Sequence, residues 1–118
     1  MPDFADGDEL APIDRSELAE ISGGDSAIER QVLAVFRKAN DADVAALKAA
    51  LANGDLVAVM RLSHRVKGAG KWVGAKALVG ICEKIEQAGR AGDWVALTAH
   101  GVALCRESDR INSYVGAL

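Results

Sequence analysis

The chain has 118 residues and a formal net charge of −3, and 50% of its residues are hydrophobic although only 4% are aromatic. This length suggests one domain that can bury a core without disulfides or a structural metal. The mildly acidic balance excludes a general nucleic-acid or membrane binder. No run of about 18 apolar residues could span a bilayer, and no secretion signal is evident. We expect a helix-rich cytoplasmic protein, because alanine abounds and both prolines fall near the start.

The chain divides near its start into two parts of different composition. Residues 1–12 are acidic and have little to bury, so we expect a flexible segment there. The remainder, 13–118, is predicted to form one helical domain. Its first helix should begin after Asp14, whose side chain can cap it together with Glu17 three residues on. This helix should end at the glycine pair that begins with Gly23.

A long second helix is predicted from a capping box formed by Ser26 and Glu29. Its apolar residues recur at spacings of three and four, which is typical of a buried helical face. Polar residues at Asn40, Asp41 and Asp43 interrupt the series and predict a local bend. The members of the apolar series are Ile28, Val32, Val35, Phe36, Ala39, Leu47 and Leu51.

The third helix follows a tight turn at 53–55, where the sequence is Asn-Gly-Asp and Asp55 can cap the helix. The helix runs toward Gly74, and at about 100° per residue its two faces differ in kind. One face gathers apolar side chains that must point to the core, namely Leu56, Val59, Leu62, Val66 and Val73. The opposite face is expected to meet solvent and gathers His64, Lys67, Gly68 and Lys71.

Two more helices complete the predicted fold. The fourth starts at Ala75 and is ended by Gly89 and Gly92, and Asp93 caps the fifth. Their apolar faces contain Leu78, Ile81, Cys82 and Ile85 in the fourth, and Trp94, Leu97, Gly101, Leu104, Ser108, Ile111 and Val115 in the fifth. Short connections make sequential helices antiparallel neighbours. The predicted fold class is therefore all-α, an antiparallel four-helix bundle with a short additional N-terminal helix.

The cysteines, the tryptophans and the second histidine add further expectations. Cys82 and Cys105 fall on apolar helix faces, and the cytoplasm is reducing, so both are predicted to be reduced, buried thiols. Trp94 opens the last helix on its apolar seam and is predicted to lie in the core. Trp72 lies off the apolar arc of its helix and can either anchor a partner or pack on a neighbouring helix. His100 is expected to have only a packing or solvent role.

Positive charge is concentrated along the third helix and at the start of the fourth. Positions 61 to 76 contain no acidic residue, and such a patch in an acidic protein attracts an anionic group. The basic residues are Arg61, Arg65, Lys67, Lys71 and Lys76. In the same helix, an interior glycine costs roughly 0.5–1 kcal/mol relative to alanine, so Gly68 needs a reason. A residue without a side chain leaves room for a partner to come close.

These features suit a histidine that accepts a phosphoryl group. A neutral, exposed imidazole can attack phosphorus without a separate base, because imidazole titrates near neutral pH. Lys67, one turn from His64, can offset the charge of the phosphoryl oxygens. The sequence contains no Walker loop, no Ser-His-Asp set and no metal-binding cluster. We therefore predict a phosphoryl carrier that is not an enzyme, without its own ATP-binding or metal site, whose partner supplies the metal.

The sequence resembles a known family at this point. The pattern H-x-x-K-G that starts at His64, followed by Gly-Ala at 74–75, resembles the signature of histidine-containing phosphotransfer (HPt) domains. These are the helical modules of bacterial multistep phosphorelays. The turn at 53–55 and the later run LVGICEKIEQAGRAGD also look like this family. The likeness covers residues 14–115. The form of the motif is especially similar to HPt modules at the C-termini of hybrid sensor kinases.

The resemblance implies roles for individual residues. His64 would be phosphorylated on Nε2, Lys67 would stabilise the phosphoryl group, and Gly68 would let a receiver domain dock closely. The partners would be receiver domains of response regulators and of a hybrid sensor kinase, with Mg²⁺ on the receiver and no cofactor on this chain. Glu86 falls where some members place a polar residue near the histidine. A carboxylate there would repel phosphate unless it holds the other ring nitrogen.

The chain departs from the family after the Lys-Gly pair. Many members have small residues where this chain has Lys71 and Trp72, and these side chains could change which partner fits. The residues predicted to contact a partner are Arg61, Arg65, Lys71 and Trp72.

Two alternative functions are considered. A non-phosphorylated helical docking module could bind and inhibit a receiver or sensor kinase, and tight binding without transfer would favour it. A kinase dimerisation domain also carries a phosphorylated histidine on a helix, but it requires an ATP-binding domain for which 118 residues leave no room. Whether the chain is free-standing or the tail of a longer hybrid kinase is left open by the sequence. A monomer satisfies every feature of the sequence, and no nucleic-acid or membrane partner is expected.

Overall fold

The computed structural model describes residues 11–118, which contain five α-helices and no strand. These helices are α1 (Arg15–Ser22), α2 (Ser26–Ala52), α3 (Leu56–Val73), α4 (Lys76–Ala91) and α5 (Trp94–Gly116). The all-α prediction is therefore confirmed. The prediction of a flexible segment over 1–12 concerns mainly residues 1–10, which lie outside the described residues.

Helices α2 to α5 form a closed four-helix bundle, and the short helix α1 packs against α2 and α3. Each of α2 to α5 packs against two of the others, α3 between α2 and α4, and α5 between α4 and α2, while α1 contacts α2 and α3. Two- and three-residue connections force sequential helices to run antiparallel, as predicted. The core lies inside this bundle, and its largest fully buried side chains are Ile13, Leu18, Leu33, Leu47, Val59, Val66, Val73, Leu78, Ile85, Leu97, Leu104 and Ile111.

The start of α2 differs from the predicted capping box. Asp25, not Ser26, is the N-cap, and its carboxylate accepts hydrogen bonds from the backbone N–H groups of Ala27 and Ile28. Glu29 does not reach back to the cap. It is buried and pairs with Arg15 of α1, because that helix packs over the first turns of α2. Asp25 and Ser26 are adjacent and both residue types cap helices, so the predicted cap lies one residue too late.

This assignment predicts unequal effects at two adjacent residues. Asp25→Ala should lower the free energy of unfolding by about 1 kcal/mol, because two backbone donors of the first turn lose their acceptor. Ser26→Ala should change it by less than about 0.5 kcal/mol, since Ser26 is exposed and makes no cap hydrogen bond. Urea denaturation of the two variants measures both values. A larger loss in Ser26→Ala than in Asp25→Ala would contradict the assignment.

The bend predicted at Asn40 to Asp43 does not occur, because α2 is one uninterrupted helix. The polar side chains instead bond to neighbouring helices. Asn40 is buried and donates through Nδ2 to Ser108 Oγ at 3.2 Å, and Asp41 accepts from Asn112 of α5. Polar residues within a buried helical face thus mark cross-helix hydrogen bonds rather than an interruption of the helix.

The apolar series predicted for α2 is partly wrong in its register. Phe36 and Leu47 are buried as predicted, and Val32 and Leu51 are partly buried, but Ile28, Val35 and Ala39 are exposed. The buried face of α2 consists of Leu33, Phe36, Asn40, Val44, Leu47 and Ala50, with Glu29 at its start. Asn40, a polar residue, lies in the middle of this buried face. A prediction based only on apolar residues passes over it and assigns exposed neighbouring positions to the face instead.

The end of α3 and the start of α1 are joined at one glycine. Gly74 is the left-handed C-cap of α3 (φ +74°), and its carbonyl accepts a 2.8 Å hydrogen bond from the backbone N–H of Asp14. A Cβ on Gly74 would lie 2.9 Å from the Asp14 carbonyl oxygen. Asp14 also caps α1 as predicted, and hydrogen bonds from Ser16 and Lys76 lower the pKa of its carboxyl group to about 2.

Three predictions for the last two helices are wrong. Gly89 does not end α4, which continues to Ala91 and is capped by Gly92; Gly89 is buried because Met60 of α3 occupies the space of a side chain. Trp94 is 36% exposed rather than in the core, since it is the first residue of α5 at the end of the bundle. Cys105 is only half-buried, whereas Cys82 is buried as predicted, and both thiols are free.

One apolar depression lies on a side of the bundle that the predicted site does not use. It has a volume of about 370 Å³ and is lined only by residues of α2 and α5, including Leu51, Gly101 and Val102. No helix within residues 11–118 is long and apolar enough to cross a membrane.

Candidate functional site

His64 stands at the middle of α3 on the side that faces away from the core. Asp55 caps this helix through the backbone N–H of Ala58, as predicted. Val59, Leu62, Val66 and Val73 are buried and Leu56 is partly buried, as the helical pattern indicated. The His64 side chain is 80% exposed, so the prediction that it is not a core histidine is confirmed.

The packing of α3 against α4 sets what lies beside His64. Ser63 is fully buried and donates through its hydroxyl to the backbone carbonyl of Cys82 at 3.2 Å. Two turns further along α3, a Cβ on Gly70 would lie 3.2 Å from the Val79 side chain, so the two helices approach closely there. This contact places the turn that follows Cys82, with Glu86 on it, next to the histidine. Sequence reasoning missed Ser63, whose small hydroxyl has no distinctive local pattern.

Glu86 bridges the two functional side chains of α3. One carboxylate oxygen, Oε1, accepts a 2.7 Å hydrogen bond from Lys67 Nζ, and the other, Oε2, lies 3.5 Å from His64 Nδ1. The side chains of Lys67 and Glu86 are only 16% and 13% exposed, so this ion pair is largely shielded from water. The expectation that Lys67 meets solvent is therefore wrong, because its ammonium group binds Glu86 of the neighbouring helix. A shielded pair of this kind is held more firmly than one on an open surface.

The electrostatics of the pair follow from its partial burial. Burial opposes ionisation of Glu86, but the hydrogen bonds from Lys67 and His64 outweigh it and hold the pKa of this carboxyl group below its usual value. The hydrogen bond to Glu86 raises the pKa of the Lys67 ammonium group. At neutral pH the site therefore holds a carboxylate and an ammonium group beside an exposed imidazole.

Gly68 leaves the surface next to His64 open. A Cβ at this position would meet no atom within 4 Å, so neither packing nor backbone geometry requires a glycine there. The helical backbone continues normally through it. The missing side chain thus exposes the backbone one turn after His64, on the same side of the helix.

The basic residues of α3, together with Lys76 at the start of α4, fall into two groups. Arg65 donates two hydrogen bonds to Asp43 of α2, at 2.6 and 3.2 Å, and Lys76 pairs with Asp14 at 2.9 Å. Arg61 and Lys71 are exposed and have no ion-pair partner within residues 11–118. The local sequence contains no acid among these positions, but the fold brings acids from α1, α2 and α4 to three of the five basic residues.

The other residues singled out in the sequence are a tryptophan, a second histidine and a cysteine. Trp72 on α3 is 56% exposed and does not pack into the core. His100 is partly buried on α5 and makes no contact with the site. Burial raises the pKa of the Cys82 thiol to about 11, so this cysteine stays protonated. Within residues 11–118 no group of three or more His, Cys, Asp or Glu could hold a metal ion.

The arrangement is suited to nucleophilic chemistry at one ring nitrogen. A carboxylate near Nδ1 favours the tautomer with the proton on that nitrogen, which leaves the lone pair on Nε2. Lys67 supplies a positive charge one turn from the histidine, and Gly68 gives a partner access.

This chain is similar to known proteins in sequence pattern and in fold. The Hpt domain family model matches residues 31–114. No curated protein is a significant match. The crystal structure of histidine-containing phosphotransfer protein B (HptB) from Pseudomonas aeruginosa PAO1 is similar in fold, with a TM-score of 0.83 and 24% identity, and the match covers 92% of this chain and 95% of that one.

A second solved structure has the same fold. The HPT domain of the Hpt sensor hybrid histidine kinase from Shewanella aligns with a TM-score of 0.77 at 18% identity, over 92% of this chain and 94% of that chain. At these identities the two structures show the fold, whereas the family model also matches the sequence across α2 to α5. Because that match spans well over half of the chain, this protein belongs to the Hpt domain family.

Proposed function

We propose that His64 is the residue through which this chain accepts and passes on a phosphoryl group. Members of the Hpt family are the histidine phosphotransfer carriers of phosphorelays, so the predicted function is confirmed at the level of the family. The observation that supports His64 is its combination of an exposed ring with a buried, charged neighbour. Nδ1 lies 3.5 Å from Glu86 Oε2 while the side chain is 80% exposed.

The transfer can be written with the groups that this chain supplies. The lone pair of His64 Nε2 attacks the phosphorus of an aspartyl phosphate on a receiver domain. The Nε2–P bond forms while the acyl P–O bond breaks, and the aspartate leaves as a carboxylate with the bonding electron pair. Nδ1 keeps its proton. The reverse reaction on a second receiver restores neutral His64, so the chain is a carrier, and Mg²⁺ is proposed to belong to the receiver.

Lys67 is proposed to stabilise the phosphoryl group during this transfer. Lys67→Ala should slow phosphotransfer by about 10- to 100-fold without abolishing it, because one positive charge is lost while the nucleophile remains. Rapid-quench kinetics with a labelled receiver measure the rate. Lys48→Ala, an exposed lysine on α2, is the matched control and should leave the rate unchanged. An unchanged rate in Lys67→Ala would show that its charge does not act on the phosphoryl group.

The docking surface for the receiver is proposed to surround His64 on α3. Arg61 and Lys71 are exposed and have no ion-pair partner within the described chain, so they are available for an acidic partner surface. Trp72 is an exposed aromatic residue at the edge of this surface and can act as an apolar anchor. Arg65 was predicted to contact the partner as well, but its hydrogen bonds to Asp43 assign it first to holding α2 and α3 together. A monomeric state and a cytoplasmic location stay predictions.

The proposed function is tested by mixing the purified protein with a phosphorylated receiver domain. Intact mass should show the transfer of one phosphoryl group, and peptide mapping should place an acid-labile, alkali-stable label on His64. A complex that forms without moving the label would instead support the alternative, a docking module that inhibits its partner.

A further inference from the structure

The ammonium group of Lys67 is not free to neutralise a phosphoryl group by itself. It donates a 2.7 Å hydrogen bond to Glu86, and the side chains of this pair are only 16% and 13% exposed. The negative charge of Glu86 therefore offsets much of the positive charge of Lys67. A phosphoryl group on His64 would add three oxygen atoms that share negative charge. The phosphorylated site calls for a second cation, an inference that rests on the proposed function of His64.

Lys71 lies on the same side of α3 as His64. Seven helical residues make almost two full turns, so the two residues differ by only about 20° around the helix axis and are separated by about 10 Å along it. A helical side chain leans toward the N-terminus of its helix, which for Lys71 is the direction of His64. Lys71 is exposed and has no ion-pair partner within residues 11–118. Its ammonium group is therefore available near the phosphorylated nitrogen.

The surface between Lys71 and His64 has no side chain on it. Gly68 lies one turn after His64, and a Cβ at this position would meet no atom within 4 Å. The flexible four-carbon stem of Lys71 can lie along this bare turn of helix, because lysine stems pack on apolar or backbone surface while the charged group stays in water. A larger residue at position 68 would stand between the ammonium group and the imidazole.

We infer that Lys71 binds the phosphoryl oxygens of phosphorylated His64 and thereby stabilises the phosphorylated form of the protein. Lys71 is a phosphoryl-binding residue in this role, in addition to any contact that it makes with a receiver. The negative charge left over beside the Lys67–Glu86 pair is thus balanced from the other end of the exposed face of α3.

The other basic residues of α3 are less well placed for this role. Arg61 is also exposed and has no ion-pair partner within the described chain, but it is rotated about 60° from His64 and leans away from it, since it comes one turn earlier. Arg65 is held by Asp43 of α2.

Two acids lie near Lys71 without engaging it. Glu17 of α1 and Glu83 of α4 line the same shallow depression as Lys71, at the end of the contact between α3 and α4. Glu17 lies 3.7 Å from the ammonium group of Lys76 instead. Lys71 can therefore turn toward a phosphoryl group without breaking an ion pair.

The test measures the equilibrium constant for phosphoryl exchange between the full chain and one receiver domain. Lys71→Gln removes the charge and should shift this constant about two- to fivefold away from the phosphorylated protein, as expected for the loss of an exposed ion pair. A contact that only helps a receiver to dock changes the forward and reverse rates equally. It therefore leaves the equilibrium between the separated proteins unchanged. Lys71→Arg keeps the charge and should stay near the wild-type value.

Lys48→Gln is the matched control, because Lys48 is an exposed lysine of α2. Its equilibrium constant should equal that of wild type. The difference between wild type and Lys71→Gln should shrink as salt is raised toward 1 M, where the screening length falls to about 3 Å. A difference that persists at high salt would contradict an interaction between exposed charges.

A second measurement needs no variant. The ¹⁵N signal of the Lys71 ammonium group should shift when the wild-type protein is phosphorylated, while that of Lys48 should not. An equilibrium constant in Lys71→Gln equal to wild type, or an unmoved Lys71 signal, would overturn the inference even though His64 takes up the label. A wild-type protein that takes up no label would overturn the proposed function itself.

Discussion

His64→Gln protein should take up no phosphoryl group from a phosphorylated receiver, while its free energy of unfolding stays within about 0.5 kcal/mol of wild type. The small effect on stability is expected because the His64 side chain is 80% exposed and its neighbour Glu86 remains paired with Lys67. The complete effect on labelling is expected because no other side chain on this surface has a nucleophilic nitrogen in its neutral form. Intact mass after incubation measures the label, and urea denaturation measures stability.

His100→Gln provides the matched control for this experiment. His100 is the other histidine of the chain and lies on α5, away from α3. Labelling of His100→Gln at the wild-type level, together with none in His64→Gln, would assign the phosphoryl group to a single residue. A labelled His64→Gln protein would remove the basis of the proposed site.

Gly68→Gln should raise stability and reduce function at the same time. Because a Cβ at position 68 meets no atom within 4 Å, the larger side chain fits without strain. Replacing an interior helical glycine with a better helix former should stabilise the fold by about 0.5–1 kcal/mol. The same side chain would stand between His64 and an approaching receiver, so kcat/KM for phosphotransfer should fall by at least about tenfold through steric exclusion.

A second helical glycine separates these two effects. Gly80 on α4 also has open space around its Cβ position, so Gly80→Gln should give a similar gain in stability. It lies six residues before Glu86 in the same helix and is not beside His64, so transfer should continue at the wild-type rate. A Gly68→Gln protein with normal transfer would show that a receiver does not need the exposed backbone at this position.

The main features of the fold followed from local signals in the sequence. Asp14, Asp55 and Asp93 cap the helices that they were predicted to cap, because a side chain that bonds backbone donors two or three residues away is a short-range interaction. The buried face of α3 and the exposure of His64 follow from helical periodicity alone.

Long-range interactions account for the errors. Asn40 interrupts the apolar pattern of α2, yet it is buried because Ser108, 68 residues later, offers a hydrogen-bond partner. Gly89 is a residue type that often ends helices, but here it lies within α4 because Met60 of α3 occupies the space that its side chain would need. Trp94 continues an apolar seam past the point where neighbouring helices cover it. In each case the outcome depends on whether another helix lies beside the residue.

By itself, the sequence determined that a histidine, a lysine and a glycine lie on one side of a helix and that the histidine meets solvent, since five consecutive helical residues have a fixed relative geometry. The tertiary structure alone decided which acids meet them. Glu86 contacts both His64 and Lys67, and Asp43 accepts hydrogen bonds from Arg65. These pairs form because buried contacts, such as the hydrogen bond from Ser63 to the Cys82 carbonyl, set the register of the neighbouring helices against α3. Helix register depends on the packing of the whole core, so no local pattern in the sequence reveals it.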